Sequence, residues 1–301
     1  MSRAEFVDAS EVVIRPSTEA EFADAAMKRG KKVIQRTGGY WMETVPGFFE
    51  PIHWLARMRI EDVKRPCPIC WGYRSTLHMD DARHANGYMP IHLLDDLDNY
   101  GEANLPSKRR NHLCKSRKAV QVVQVLDPRP LLDQGYDVLK SAVARTHHGS
   151  VPAFDQYCRN VRRQIEDSRS ITLAGLVNGK IGGYVVLSAV DDVVYIDTVL
   201  LATEYLPTDI GTALAFETVQ VSRRCSQIKN VVYGLHSRED PRLGVFKEGM
   251  GFKVRFWPVK YQIPQTMLWL IGWRWPDKLY RLTGRSDSGV CAPIDPSINI
   301  P

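Results

Sequence analysis

The chain has 301 residues, 44% of them hydrophobic and 25% charged, with a formal net charge of +6. That length allows two cores of ordinary domain size, and the composition excludes a disordered, collagenous or disulfide-framed chain. No stretch approaches the ~20 apolar residues of a spanning helix and no apolar run leads to a cleavage-type site near the start, so a cytoplasmic protein is expected.

In chain order, "EVVIRP" (11–16) predicts a strand, and "STEAEFADAAMKRG" (17–30) a helix opened by Ser17 and the acids Glu19 and Glu21. The Gly- and aromatic-rich run 37–60 predicts a strand, a turn and a second strand or short helix. "PCPICWGYRSTLHM" (66–79) reads as another strand, and 85–100 leads into a short acidic segment. "SKRRNHLCKSRKA" (107–119) predicts a basic helix behind a Ser107 cap, followed by a strand "VQVVQVL" (120–126). Two amphipathic helices follow within 128–149 and 151–168. The segment 170–201 predicts three strands, the first turn marked by Asn178-Gly179. After it come a loop, a helix (211–225), a strand (229–237), a helix (241–250) and a strand (251–261). The tail 264–284 is dense in Trp and Leu, and Met267, Leu268, Ile271 and Trp275 fall on one predicted helical face. Antiparallel strands giving way to strands that alternate with helices predict an α/β (α+β) protein with a mixed, mostly antiparallel sheet and flanking helices.

Of the six cysteines only Cys67 and Cys70 have metal-ligand spacing, and no second pair or suitably spaced histidine accompanies them. Two reduced thiols and no metal are expected. Net positive charge, concentrated in Lys108, Arg109, Arg110, Lys115, Arg117 and Lys118, favours an anionic partner. The Trp-rich tail, with Arg274, Lys278 and Arg281 beside its apolar face, fits either a packed terminal element or a helix lying on a membrane surface.

The loop "EYLPTDIGTAL" (204–214) carries a family resemblance. Glu204, Tyr205, Ile210, Gly211, Thr212, Ala213 and Leu214 fit the donor-binding motif of the GCN5-related N-acetyltransferases (GNATs), while Leu206, Pro207 and Asp209 replace its arginine and two glycines. "GVFKEGMG" (244–251) resembles the Gly, apolar, Phe-Lys, Gly pattern of the FemAB-like branch of that fold, which fuses two GNAT-like halves. The basic helix, the strand after it and "RTHHG" (145–149) resemble the same branch. The resemblance covers roughly residues 105–257. It implies a lead-in at 1–30, a degenerate GNAT-like half at 31–126, an acyltransferase half at 127–261 and a Trp-rich extension at 262–301.

The resemblance implies an N-acyltransferase acting on an amino group of an unknown acceptor, with acyl-CoA as co-substrate and no metal. The donor would be held by Leu201, Thr203, Thr208, Asp209, Ile210, Gly211, Thr212 and Ala213, its pyrophosphate on the amides that open a helix. Pro207 removes one such amide, and the Asp209 carboxylate would repel phosphate. His236, Glu204 and Asp197 are candidate bases for the acceptor amine, Tyr195 a candidate acid, and Lys247 a candidate for oxyanion or phosphate contact. Arg110, Lys115 and Arg145 are candidate contacts to an anionic substrate. Two alternatives stand beside this reading. One is a FemAB-like aminoacyltransferase using aminoacyl-tRNA; the other is an inactive GNAT-fold module that binds an anionic partner.

Overall fold

The computed structural model describes residues 5–147 and 149–285. In chain order these form β1 (Phe6–Asp8), α1 (Glu19–Lys28), β2 (Val33–Arg36), β3 (Gly39–Val45), β4 (Phe48–Pro51), β5 (Gly72–Thr76) and β6 (Gly87–Leu94). Next come α2 (Ser107–Arg117), β7 (Gln121–Val125), α3 (Tyr136–Thr146), α4 (Phe154–Glu166), β8 (Ser170–Val177), β9 (Lys180–Val190) and β10 (Val193–Leu201). The chain continues with α5 (Ile210–Arg223), β11 (Asn230–Leu235), α6 (Pro241–Gly249), β12 (Lys253–Gln262), α7 (Gln265–Arg274) and α8 (Pro276–Thr283).

Two compact units interleave along the chain. Of the described residues, unit 1 comprises 5–16, Leu94–Tyr233 and Gly249–Phe252, and unit 2 comprises Ser17–Leu93, Gly234–Glu248 and 253–285. These boundaries differ from the sequential cuts at 30, 126 and 261. Contact follows strand neighbours, and neither unit is a continuous stretch of sequence.

Unit 1 carries strands in the order β1-β7-β8-β9-β10-β11. All neighbours are antiparallel except β10 and β11, which run parallel as ends of a β10-α5-β11 crossover. Successive strand residues face opposite sides. Ala174 lies in one core cluster with Leu131, Val138, Tyr157 and Val161 from the helical side, whereas Gly175 lies under Ile210 of α5, where a Cβ would come within 2.8 Å of Ile210. The turn between β8 and β9 has Asn178 and Gly179 at φ 51° and 76°, the left-handed pair that a tight hairpin demands.

Unit 2 carries strands in the order β6-β12-β5-β4-β3-β2, antiparallel except for β4 with β5. Trp41, Phe49, Met58, Cys70 and Tyr73 form one buried cluster, and Ala23 and Ala26 of α1 close on Ile52. The overall class is the expected mixed, mostly antiparallel sheet with flanking helices.

Three local expectations shift. The first strand is Phe6–Asp8 rather than 11–16, because the Asp8 side chain accepts from the Ser10 amide and starts a 3-10 turn over Ala9–Glu11. The helix α1 is capped by Thr18, not Ser17, through a reciprocal capping box with Glu21. Ser107 is the first residue of α2 rather than its cap; Pro106 holds the cap position and no side chain caps it.

Candidate functional site

The β10-α5 connection in unit 1 contains most of the residues the resemblance singled out. Among the described residues, β10 pairs with β11 from Val193↔Asn230 to Tyr195↔Val232 and no further. Beyond Tyr195, β10 continues against β9 alone, and its register slips between Ile196 and Thr198, so Asp197 sits on a β-bulge. Bulges re-aim side chains and recur beside active sites. Asp197 is exposed, whereas Tyr195 is 6% exposed and belongs to the core.

The end of β10 is fastened from α3. Arg145 donates to the Leu201 carbonyl at 2.7 Å and to Thr203 Oγ1 at 3.1 Å. The Thr203 amide donates to Ser141 Oγ at 2.9 Å, and Ser141 Oγ lies 3.4 Å from Glu204 Oε2. Arg145 and Thr203, expected as ligand contacts, are engaged within the protein: Arg145 by the Leu201 carbonyl, and Thr203 by the Arg145 and Ser141 side chains. A 3-10 turn over Thr203–Thr208 follows, and the Asp209 amide donates back to the Leu206 carbonyl at 3.0 Å.

Asp209 precedes α5 in the left-handed region, at φ 59°. Its carbonyl accepts from the amides of Thr212 and Ala213. Of the helix-opening amides, those of Asp209 and Thr212 are thus engaged. Among the described residues, no protein acceptor is found for Ile210 and Gly211. Ile210 is fully buried and Gly211 half-buried.

The Asp209 carboxylate does not cap its own helix; it reaches α2. Oδ1 lies 2.8 Å from His112 Nδ1, and Oδ2 lies 3.4 Å from Lys115 Nζ. Arg109 also feels it: burial lowers the Arg109 pKa, and the Asp209 charge pulls it back up. A carboxylate at 17% exposure therefore sits at the positive end of α5 with cations around it. Lys115 itself is 61% exposed. Arg110 instead donates to the carbonyls of Ala103 and Leu105, and to Ser107 Oγ, which ties down the start of α2. The role of His112 was missed by sequence reasoning. Its signal is the i, i+3, i+6 spacing of Arg109, His112 and Lys115, which puts them on one helix face.

His236 and Lys247 belong to unit 2. The His236 amide donates to the Pro90 carbonyl at 2.9 Å, and its Nδ1 lies 2.9 Å from Tyr280 Oη. The buried His92 ring is 5.3 Å away, centroid to centroid. Burial, and then the charges of Arg238 and Lys247, lower the His236 pKa against an upward pull from Glu248. The imidazole is thus neutral at pH 7 and able to accept a proton. Arg238 lies over the Tyr280 ring at 3.8 Å and burial raises the tyrosine pKa, so the hydroxyl keeps its proton.

Lys247 is only 7% exposed, and burial lowers its pKa to about 8 despite the attraction of Asp240. Gly234, at φ 76°, lies near it: a Cβ there would begin 3.7 Å from Lys247 Nζ. The glycine lets the strand turn left-handed and keeps the space near the ammonium free of a side chain. Tyr280, like His112, was not foreseen. It lies 44 positions from His236, and no local pattern marks it.

No protein-family model matches the sequence, and no curated protein matches it. Similarity appears among solved structures. One is the C-terminal domain of a proposed lysylphosphatidylglycerol synthetase from Agrobacterium fabrum, at 13% identity and TM-score 0.54, covering 94% of this chain and 98% of that one. FemX gives 8% identity and TM-score 0.60 over 83% of this chain and 92% of its own. L-PGS from Bacillus licheniformis gives 14% identity and TM-score 0.54 over 91% and 99%. At these identities the likeness establishes the fold.

Proposed function

From a GNAT-like, FemAB-like fold, we propose that the protein is an acyltransferase whose donor is an aminoacyl-tRNA rather than an acyl-CoA, and whose acceptor is an amino group. The observation that carries the donor choice is the Asp209 carboxylate. It lies 2.8 Å from His112 and 3.4 Å from Lys115, at the helix start where a CoA pyrophosphate would need unpaired amides and no nearby anion. The FemAB resemblance implies a tRNA-borne donor, and the exposed Lys115, with Lys108 on the same helix and Lys118 just past its end, supplies positive surface for a polyanion.

In the reaction, the acceptor nitrogen attacks the donor carbonyl, its proton passes to a base, and the ester oxygen leaves. His236 is the base on this reading. In the tautomer whose Nδ1–H donates to Tyr280 Oη, Nε2 carries the lone pair that takes the proton. Lys247, with a pKa of about 8, stays mostly an ammonium at neutral pH and stabilises the oxyanion or a donor phosphate from a site where water competes little. Asp197 on its bulge and Glu204 on the 3-10 turn are the alternative bases.

A second reading keeps acyl-CoA as donor. The amides of Ile210 and Gly211, for which no protein acceptor is found, favour it. Thermal-shift titrations with acetyl-CoA, longer acyl-CoAs and aminoacyl-tRNA separate the two. Saturable stabilisation by aminoacyl-tRNA alone, weakening steeply with salt, is the expected result. Stabilisation by an acyl-CoA alone overturns the donor choice. Binding of tRNA without transfer to any amine would reduce the protein to a binding module.

A further inference from the structure

Helix α7 has no buried residue among its ten, unlike the other described helices of that length or more. Trp269 is 68% exposed, Trp273 71%, Leu270 38% and Trp275, at the junction with α8, 44%. Met267, Leu268 and Ile271 are half-buried, so the helix rests on its unit by that side and turns the tryptophans outward. The expected face had included Trp275; α7 ends at Arg274, and Trp275, at φ −144°, breaks away from it. The rings of Trp269 and Trp273 stack one turn apart, 6.2 Å between centroids and 6° from parallel.

The surroundings are cationic. Arg274 lies 5.6 Å and Lys278 4.9 Å from the Trp275 ring centroid. Between Pro264 and Arg285 the sequence holds Arg274, Lys278, Arg281 and Arg285 against the single acid Asp277. Arg281 is committed to Glu239 at 3.1 Å.

We infer that α7 and the start of α8 form a docking face for the surface of an anionic lipid bilayer. Indole has an apolar body and one N–H donor, which suits the boundary between headgroups and acyl chains. Trp269, Leu270 and Trp273 enter that boundary, and Arg274 and Lys278 meet the headgroup phosphates. The contact is peripheral: no helix among the described residues is long and apolar enough to cross a membrane. A second copy is the less favoured occupant, because self-association through this face would bring two sets of cations together. This inference does not depend on the acyl-transfer reading.

The test is co-sedimentation of the full chain with vesicles of phosphatidylcholine, alone or mixed with phosphatidylglycerol, followed by tryptophan emission. Binding to the mixed vesicles, a shift of emission to shorter wavelength and a drop of at least ~10-fold on phosphatidylcholine alone or in high salt are expected. Trp269→Ser with Trp273→Ser should weaken binding by at least ~10-fold while leaving the circular-dichroism melt unchanged, because both side chains are solvent-facing. Arg274→Gln with Lys278→Gln should remove the preference for anionic lipid. No sedimentation, undiminished binding of the double tryptophan variant, or a wild-type dimer that this variant converts to monomer would each overturn the proposal.

Discussion

The start of α5 and the surroundings of Lys247 both gather charged groups beside a helix, and they settle the charge in opposite ways. At α5, the Asp209 carboxylate meets His112 at 2.8 Å and Lys115 at 3.4 Å, so the positive end of the helix is answered from within the protein. At Lys247, burial outweighs the attraction of Asp240 and brings the pKa down to about 8. The first arrangement stabilises the fold. The second holds a charge at a cost to the fold, and such groups concentrate where chemistry or binding uses them. Arg110 and Arg145 are likewise settled within the protein, on backbone carbonyls.

The sharpest way to break this contrast is Lys247→Met. It should lower aminoacyl transfer by at least ~100-fold in a single-turnover assay while raising the melting temperature, because a buried ammonium is exchanged for an apolar chain of similar length. Unchanged turnover would remove Lys247 from the site.

The same residue makes a pH prediction. Its folded pKa of about 8 lies below the ordinary 10.5, so between these values the unfolded chain holds more protons. Stability should therefore rise with pH across that window, by on the order of 2 kcal/mol from this group. Denaturant melts from pH 7.5 to 10.5 check it, and the rise should shrink in Lys247→Met.

Asp209→Asn acts on the other side of the comparison. Losing the charged contacts to His112 and Lys115 should cost about 1–2 kcal/mol in denaturant melts. If the carboxylate is what repels pyrophosphate, the variant gains a thermal shift with CoA that the wild type lacks. Arg145→Ala should cost about 1 kcal/mol and speed hydrogen exchange around Thr203, since the Leu201 carbonyl loses its donor. The smallest effect is expected from Tyr280→Phe. A loss of roughly 3- to 10-fold in turnover should come with a displaced acid limb of the pH–rate profile; a uniform loss at all pH values would leave Tyr280 a packing residue.

Much of the fold was legible because its signals are local. Asn178-Gly179 needs only its own two dihedrals to announce a hairpin, and Thr18 with Glu21 closes a capping box within one turn. The loop after β10 was legible through Gly211 and its neighbours. What stayed hidden is what the site residues touch. Arg145 and Arg110 look like substrate-binding cations in sequence, but their partners are backbone carbonyls, which have no residue identity to read. Tyr280 reaches His236 from the Trp-rich tail, and only folding reveals that neighbour.

The weaving of the two units has a consequence for how this protein is built and varied. The chain passes from one unit to the other at 16/17, 93/94, 233/234, 248/249 and 252/253. No uninterrupted piece of the gene encodes either unit, so one cannot be shuffled, truncated away or expressed alone by a single cut. A ribosome must emit past residue 252 before all segments of unit 1 exist, and its edge strand β1 waits for its partner β7 at Gln121–Val125.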